Sequence, residues 1–253
     1  MDAKKEFLSS SLFLKDFPEN PVLRNDEIHV CKVMLKKSYF AVLEKLLSSD
    51  ERTKANRFRF FKDRMEFVVA RGFLRVILGR YLTLDPSELE FRYNCYGKPF
   101  LNPKVTPACL EFNLTHSDGI ALYAISTKRP LGIDIERSRP PLPNFNALSD
   151  LFSIEEISFL NQLSHKEQQN MFFRLWTRKE AYSKALGQGL RLSLSKLDFL
   201  TNVHDEGSKA IPLNGPLGRW SIRDLTIEDS HVAAVVGQGN DWKLQLWKWG
   251  GSL

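Results

Sequence analysis

The chain has 253 residues, 43% of them hydrophobic, which suffices for one large domain or two small ones around a real core. A net charge of +6 and a pI near 9.2 favour polyanionic partners such as nucleic acid, phosphorylated cofactors or acidic proteins, without choosing among them. The three cysteines, Cys31, Cys95 and Cys109, have neither even number nor metal-ligand spacing, which argues against a disulfide framework and for a reduced compartment, the cytoplasm by default.

Residues 1 to 25, with Pro18 and Pro21, are expected to form an irregular arm. The early apolar run is broken by Lys15 and Asp16, so no secretory leader is expected, and no stretch approaches the length of a membrane span. Alternation of Ile28, Val30, Val33 and Leu35 predicts a strand over 27–35, and residues 37–47 a short helix. From Asp50-Glu51 to about Tyr81 the pattern predicts one long helix, with Phe60, Phe67, Leu74, Ile77 and Leu78 as its buried stripe. Arg57, Arg64 and Arg71 recur every seven residues on it, with Arg75 one turn further. Few acids interleave, so this positive stripe is either a solvated face or the lining of an anion site.

A strand over 89–93 precedes Tyr96-Gly97-Lys98-Pro99-Phe100, a turn that fixes the direction of its lysine. Glu111 to Gly119 reads as a strand running into a turn, with Thr115 and Ser117 flanking His116, and a further strand follows over 120–126. His116 and its neighbours are either structural or donors to a phosphate. Leu131-Gly132-Ile133-Asp134-Ile135-Glu136 is a short strand whose two carboxylates share one face while the isoleucines take the other. Two like charges held so close call for a cation, with Mg²⁺ the natural partner of hard oxygen donors; the alternative is a solvated edge strand.

Arg139 to Pro143 makes a stiff exposed loop, and Ser153-Ile154-Glu155-Glu156 is a capping box opening a helix to about Leu163. A second helix runs from Lys166 to Leu186, ends at Gly187-Gln188-Gly189, and aligns Trp176, Glu180 and Lys184 along one side. Glu180 and Lys184 are either a surface ion pair or a metal ligand (or base) beside a phosphate contact. Strands are expected around 197–200, 220–225, 231–236 and 243–247, and Trp242, Trp247 and Trp249 are expected to serve packing. The two parts of the chain share an order of strand, helices and strands. This predicts a duplicated α+β fold of two similar halves, 1–128 and 129–253, each a mostly antiparallel sheet covered by helices, with a cleft between them.

Gly132-Ile133-Asp134-Ile135-Glu136, followed by Trp176-Thr177-Arg178-Lys179-Glu180-Ala181 and Lys184, with Gly97-Lys98-Pro99 and Asn113-Leu114-Thr115-His116-Ser117 upstream, resembles the 4′-phosphopantetheinyl transferases of the surfactin-synthetase-activating type. The resemblance covers about residues 52 to 192; Thr115 stands where many members have serine. It implies a pseudo-dimeric, monomeric enzyme that moves the phosphopantetheine arm of coenzyme A to a serine of an apo acyl or peptidyl carrier protein and releases adenosine 3′,5′-bisphosphate. By motif position, Asp134, Glu136 and Glu180 would hold Mg²⁺, and Lys184 would contact the pyrophosphate. Lys98, Thr115, His116, Arg64 and Arg71 would bind coenzyme A, and Glu156 would line the site. Glu180 would also act as base. Two other classes fit the residues less well: a Mg²⁺-dependent nucleotidyl transferase or pyrophosphohydrolase, and a basic nucleic-acid-binding module. No P-loop, zinc-finger or RNP-like signature supports either.

Overall fold

The computed structural model describes residues 15–104, 110–139, 141–187, 194–197, 199–200, 211–215, 218–227 and 230–251. The first part carries β1 (Lys15–Asp16), β2 (Glu27–Met34), α1 (Phe40–Leu46), α2 (Ser49–Ala55), α3 (Phe61–Leu82), β3 (Phe91–Tyr93), β4 (Pro99–Leu101), β5 (Leu110–Ser117) and β6 (Ile120–Thr127). The second carries β7 (Leu131–Arg137), α4 (Ile154–Gln162), α5 (His165–Leu186), β8 (Ile211–Gly215), β9 (Gly218–Thr226), β10 (His231–Gln238) and β11 (Lys243–Lys248). One sheet has the order β1-β11-β2-β6-β5, a second the order β7-β10-β9-β8, and β3 and β4 form a separate hairpin. The fold is α+β, and its repeat is visible in strand order: β2-β6-β5 and β7-β10-β9 are both antiparallel triplets, and in each a helix of 22 residues follows the first strand in sequence and precedes the other two. β11 crosses back to lie parallel to β2, so the end of the chain completes the first sheet.

The strands alternate between two cores, as a two-faced sheet requires. Cys31 and Val33 of β2 and Tyr123 and Ile125 of β6 pack under Phe73, Leu74 and Ile77 of α3. Ile28, Val30, Leu122 and Ala124 from the same strands face Ile133, Ile135 and Val235 across the middle of the molecule. Beyond them Ala234 and Val236 of β10 meet Phe172, Leu175 and Tyr182 of α5. The layers therefore run α3, first sheet, second sheet, α5. Trp242 is buried in the central layer, while Trp247 and Trp249 pack against the first core, in keeping with a packing role.

Four expectations need correction. The long helix is two helices, α2 and α3, separated by residues 56–60. Glu51 bonds both Arg71 and Arg75, at 2.5 and 2.8 Å, whereas on one straight helix residues 51 and 71 would lie about 30 Å apart. The chain must fold back for that pairing, and Ser48 and Glu51 form a capping box that starts α2. Phe60 consequently sits at the bend and is exposed, not part of the buried stripe. The arginines do not form one cationic face: Arg57 precedes α3, Arg64 pairs with Glu44 at 2.7 Å, and Arg71 and Arg75 are buried. Around 197–200 there is no strand among the described residues, where a short 3-10 turn at Leu194–Lys196 precedes irregular backbone; Gln188 and Gly189 lie outside them.

Candidate active site

β7 sits between two neighbours that decide where its side chains go. Along one edge it pairs with β10. Along the other lies β5, which reaches it with side chains: Asn113 accepts a hydrogen bond from the Ile133 amide at 2.9 Å, and the Ser117 hydroxyl accepts one from the Arg137 amide at 3.3 Å. Between them, the Thr115 hydroxyl donates to Asp134 Oδ1 at 3.1 Å. Alternate polar residues on β5, with Leu114 and His116 between them, thus stitch the two sheets together. This period-two pattern is a signal that motif reading alone passes over.

Gly132 shares the face of Asp134 and Glu136 and explains how α5 approaches. A Cβ there would stand 2.1 Å from the Ala181 carbonyl oxygen and 2.4 Å from the Ala185 nitrogen, so only glycine lets the helix backbone rest on the strand. The contact brings Lys184 to Asp134: its Nζ lies 2.6 Å from Asp134 Oδ1 and 3.3 Å from the Thr115 hydroxyl. Asp134 is 3% exposed, and its other oxygen, Oδ2, is buried without a hydrogen-bond partner. Burial holds the Asp134 carboxyl above its usual pKa against the pull of Lys184 and Thr115. Glu136 is raised by burial and by Asp134, and Glu180 by burial, Asp134 and Glu136, each opposed by Lys184. Three carboxylates from β7 and α5 therefore repel one another around a single ammonium.

Two cavities open on either side of Gly97, Pro99 and Leu114, and Lys184 lines both. The first, about 360 Å³, is walled by Lys54, Arg71, Tyr93, Thr115, His116 and Lys184, with no acidic side chain among the described residues that line it. Arg71 is held there by Glu51, by a 2.7 Å bond to the Tyr93 hydroxyl and by stacking 4.2 Å from the Phe91 ring centre. One carboxylate against Arg71 and Arg75 leaves positive charge over, so the cavity is suited to an anion. His116 borders it; desolvation by the walls lowers its pKa, with Glu66 opposing and Lys184 adding. The second cavity, about 310 Å³, includes Asn113, Glu180, Ser183 and Lys184.

The structure thus brings together Asp134, Glu136, Glu180, Lys184, Thr115, His116 and Arg71. Arg64, bonded to Glu44, is not among the residues that line either cavity. Lys98 reaches away from the anion cavity: its ammonium donates to the Leu131 and Ala185 carbonyls, both at 3.1 Å. Glu156 is enclosed in the second half, where it pairs with Lys179 at 2.8 Å, accepts from the Phe199 amide and caps α4. Lys54 was missed by sequence reading; it stands one turn after Glu51 on α2, exposed at the cavity mouth over the Phe67 ring.

Hard oxygen donors with one orphaned buried oxygen fit Mg²⁺ by their chemistry. Among the described residues no three His, Cys, Asp or Glu side chains are already drawn together as a ligand set. Mg²⁺ does not demand one, because it commonly keeps waters and takes one or two carboxylates together with substrate phosphates.

Residues 35–128 match the family profile described as 4′-phosphopantetheinyl transferase, N-terminal, and residues 130–236 that of the 4′-phosphopantetheinyl transferase superfamily. The chain is 37% identical over 233 residues to the 4′-phosphopantetheinyl transferase HetI of Nostoc sp. (strain PCC 7120), covering 91% of this chain and 95% of that one. It is 29% identical over 196 residues to the 4′-phosphopantetheinyl transferase Sfp of Bacillus subtilis (strain 168), covering 78% and 84%. A phosphopantetheinyl transferase of Thraustochytrium sp. is 27% identical over 209 residues, covering 78% and 72%. With two adjoining profile matches and a relative aligned almost end to end, the chain belongs to the 4′-phosphopantetheinyl transferase family and is an enzyme that transfers the phosphopantetheine group.

Proposed function

We propose that this cleft takes coenzyme A and the serine of an apo acyl or peptidyl carrier protein, joins the serine oxygen to the phosphorus of the phosphopantetheine arm, and releases adenosine 3′,5′-bisphosphate. The observation that carries the reading is the place of Lys184, shared between a cavity of cationic walls and one that contains Glu180. Arg71, Lys54 and His116 hold the phosphate at the nucleotide end, where charge-assisted hydrogen bonds are strongest. Lys184 faces the pyrophosphate and stabilises the oxygen that departs when the phosphorus–oxygen bond of the anhydride breaks. Glu180 takes the serine proton, directly or through a water, because a neutral hydroxyl is a weak nucleophile.

Asp134, Glu136 and Glu180 are the residues that would hold Mg²⁺. Bound there, the ion would offset their repulsion and draw charge from the transferring phosphate. Thr115 keeps Asp134 turned toward Lys184. The basic balance of the chain suits an acidic carrier by speeding encounter. We assign the two halves to residues 1–128 and 129–253, with β11 crossing back to the first sheet, and take the working form as a cytoplasmic monomer without nucleic acid. No helix among the described residues is long and apolar enough to cross a membrane.

Mass analysis of an apo carrier incubated with this chain, coenzyme A and Mg²⁺ tests the reading. The expected result is a carrier heavier by one phosphopantetheine group, with adenosine 3′,5′-bisphosphate in equal amount. An unmodified carrier alongside hydrolysis of the pyrophosphate would replace it with a pyrophosphohydrolase.

A further inference from the structure

We propose that Lys98 is a positioning residue: it clasps the last turn of α5 to the head of β7 and so sets the spacing of Glu180 and Lys184 from Asp134 and Glu136. The inference rests on the transfer reading above for the roles of those four groups. Its geometry stands on its own.

A helix ends with carbonyl groups that lack intrahelical partners. In α5 the Ser183 and Lys184 carbonyls are met by the amide of Gly187, which takes the left-handed conformation at φ +64°. The next groups are met from the other half of the molecule. Lys98 Nζ donates to the Ala185 carbonyl at 3.1 Å, and the Asn94 side-chain amide donates to the Gly187 carbonyl at 2.8 Å. The same ammonium donates to the Leu131 carbonyl at 3.1 Å, one residue before the glycine on which α5 rests. One cation thereby joins the β3–β4 hairpin, the first residue of β7 and the end of α5. A positive charge at a helix C-terminus is also favoured by the helix dipole.

The hairpin turn is built to aim this side chain. Asn94 Oδ1 accepts from the amides of Tyr96 and Lys98, both at 2.9 Å, the Asn94 amide donates to the Lys98 carbonyl at 3.0 Å, and Gly97 takes a φ of +87°. Two of the three ammonium hydrogens are engaged by carbonyls. A lysine serving a phosphate would instead direct them into the anion cavity, whose walls include Gly97 and Pro99 but not Lys98.

Lys98→Met removes the ammonium and keeps most of the bulk. Asn94→Asp keeps the oxygen that shapes the turn, removes the donor to Gly187 and sets a carboxylate against that carbonyl. Each is compared with the unaltered chain in transfer from coenzyme A and from 3′-dephospho-coenzyme A, and in backbone hydrogen exchange of the free protein. The expected result is a fall in kcat on the order of tenfold to a hundredfold with both donors, as small misplacements of reacting groups produce. The ratio of the two KM values stays unchanged, and the amides from Tyr182 to Gly187 exchange faster. A rise in KM confined to coenzyme A would make Lys98 a phosphate ligand and overturn the proposal, as would unchanged exchange at the end of α5. Should Lys98→Met fail to fold, Lys98→Gln, which removes the charge and keeps a polar side chain, decides by the same two readouts, with Asn94→Asp reporting on the neighbouring bond to Gly187. If the unaltered chain transfers nothing, the transfer reading fails by itself, and the exchange comparison still decides whether the clasp holds α5.

Discussion

Glu51 and Glu156 occupy matching places in the two halves. Each is the last residue of a Ser-x-x-Glu capping box, on α2 and α4, and each sends its carboxylate to the following 22-residue helix. Counted from Phe61 and from His165, Arg75 and Lys179 hold the same position on α3 and α5. The place of Arg71, one turn earlier, is taken in α5 by Leu175, which is buried in the core. Burial alone would raise both glutamates. In Glu51 the two guanidiniums reverse this and hold it below the usual range, whereas in Glu156 burial outweighs the single lysine and leaves it above. The first half therefore has positive charge over, and Arg71 carries it to the anion cavity. In the second half the clamp is balanced one to one, and the charges that face the cleft, Glu180 and Lys184, stand just beyond it where α3 has Val76 and Arg80. The two helices share the clamp and differ beside it: a cation at Arg71 faces the cleft in the first half, where α5 has Leu175, and a carboxylate at Glu180 in the second, where α3 has Val76.

The sharpest way to break this division is at the acidic side. Asp134→Ala or Glu180→Ala is expected to lower transfer of labelled pantetheine to an apo carrier by on the order of a thousandfold or more, with the fold retained. Near-normal turnover in either variant would remove the carboxylates from the site. Next in size is the clamp. Glu51→Gln leaves two buried guanidiniums without a counter-charge and should cost about 3–5 kcal/mol in denaturant unfolding. Glu156→Gln leaves one buried ammonium that keeps its bond to the Leu194 carbonyl and removes a carboxylate that burial already disfavours, so its cost should be clearly smaller than that of Glu51→Gln. Equal losses would mean that the two clamps do not differ in charge balance.

Much of the acidic side was legible in the sequence because it is local. Asp134 and Glu136 share a strand face by alternation, and Glu180 and Lys184 share a helix side by spacing. The basic side was read less well, because its logic is tertiary. A helical period running through residues 50–81 cannot show that Glu51 must fold back on Arg71 and Arg75. Periodicity likewise placed Phe60 in a stripe that the bend leaves in solvent. Lys98 sits in a recognisable turn, yet the carbonyls it meets are distant in sequence. The parallel pairing of β11 with β2 joins the two ends of the chain and leaves no local trace.

The basic side offers a finer test. Arg71→Ala should raise KM for coenzyme A about tenfold, the worth of one charge-assisted hydrogen bond, and raise it less for the 3′-dephospho form. Arg75 still bonds Glu51 in this variant, so the clamp is weakened but not emptied. Equal effects on the two donors would take Arg71 out of the phosphate site and leave its positive charge purely structural.

The smallest effect, and the one that separates the clamps by sign, is the pH dependence of stability. Glu51 is held below its ordinary value of 4.5 when folded, so its contribution is complete above that value and is lost as pH falls through the depressed pKa. Glu156 is held above 4.5, so its contribution is complete below that value and is lost as pH rises through the raised pKa. Melting temperatures of Glu51→Gln and Glu156→Gln, each subtracted from the unaltered chain across this range, should therefore slope in opposite directions. The gap for Glu51→Gln narrows toward acid, and the gap for Glu156→Gln narrows toward neutrality. Parallel slopes would show that Lys179 neutralises its partner as fully as two arginines do, and the contrast between the halves would then lie in the cavity-facing side chains alone.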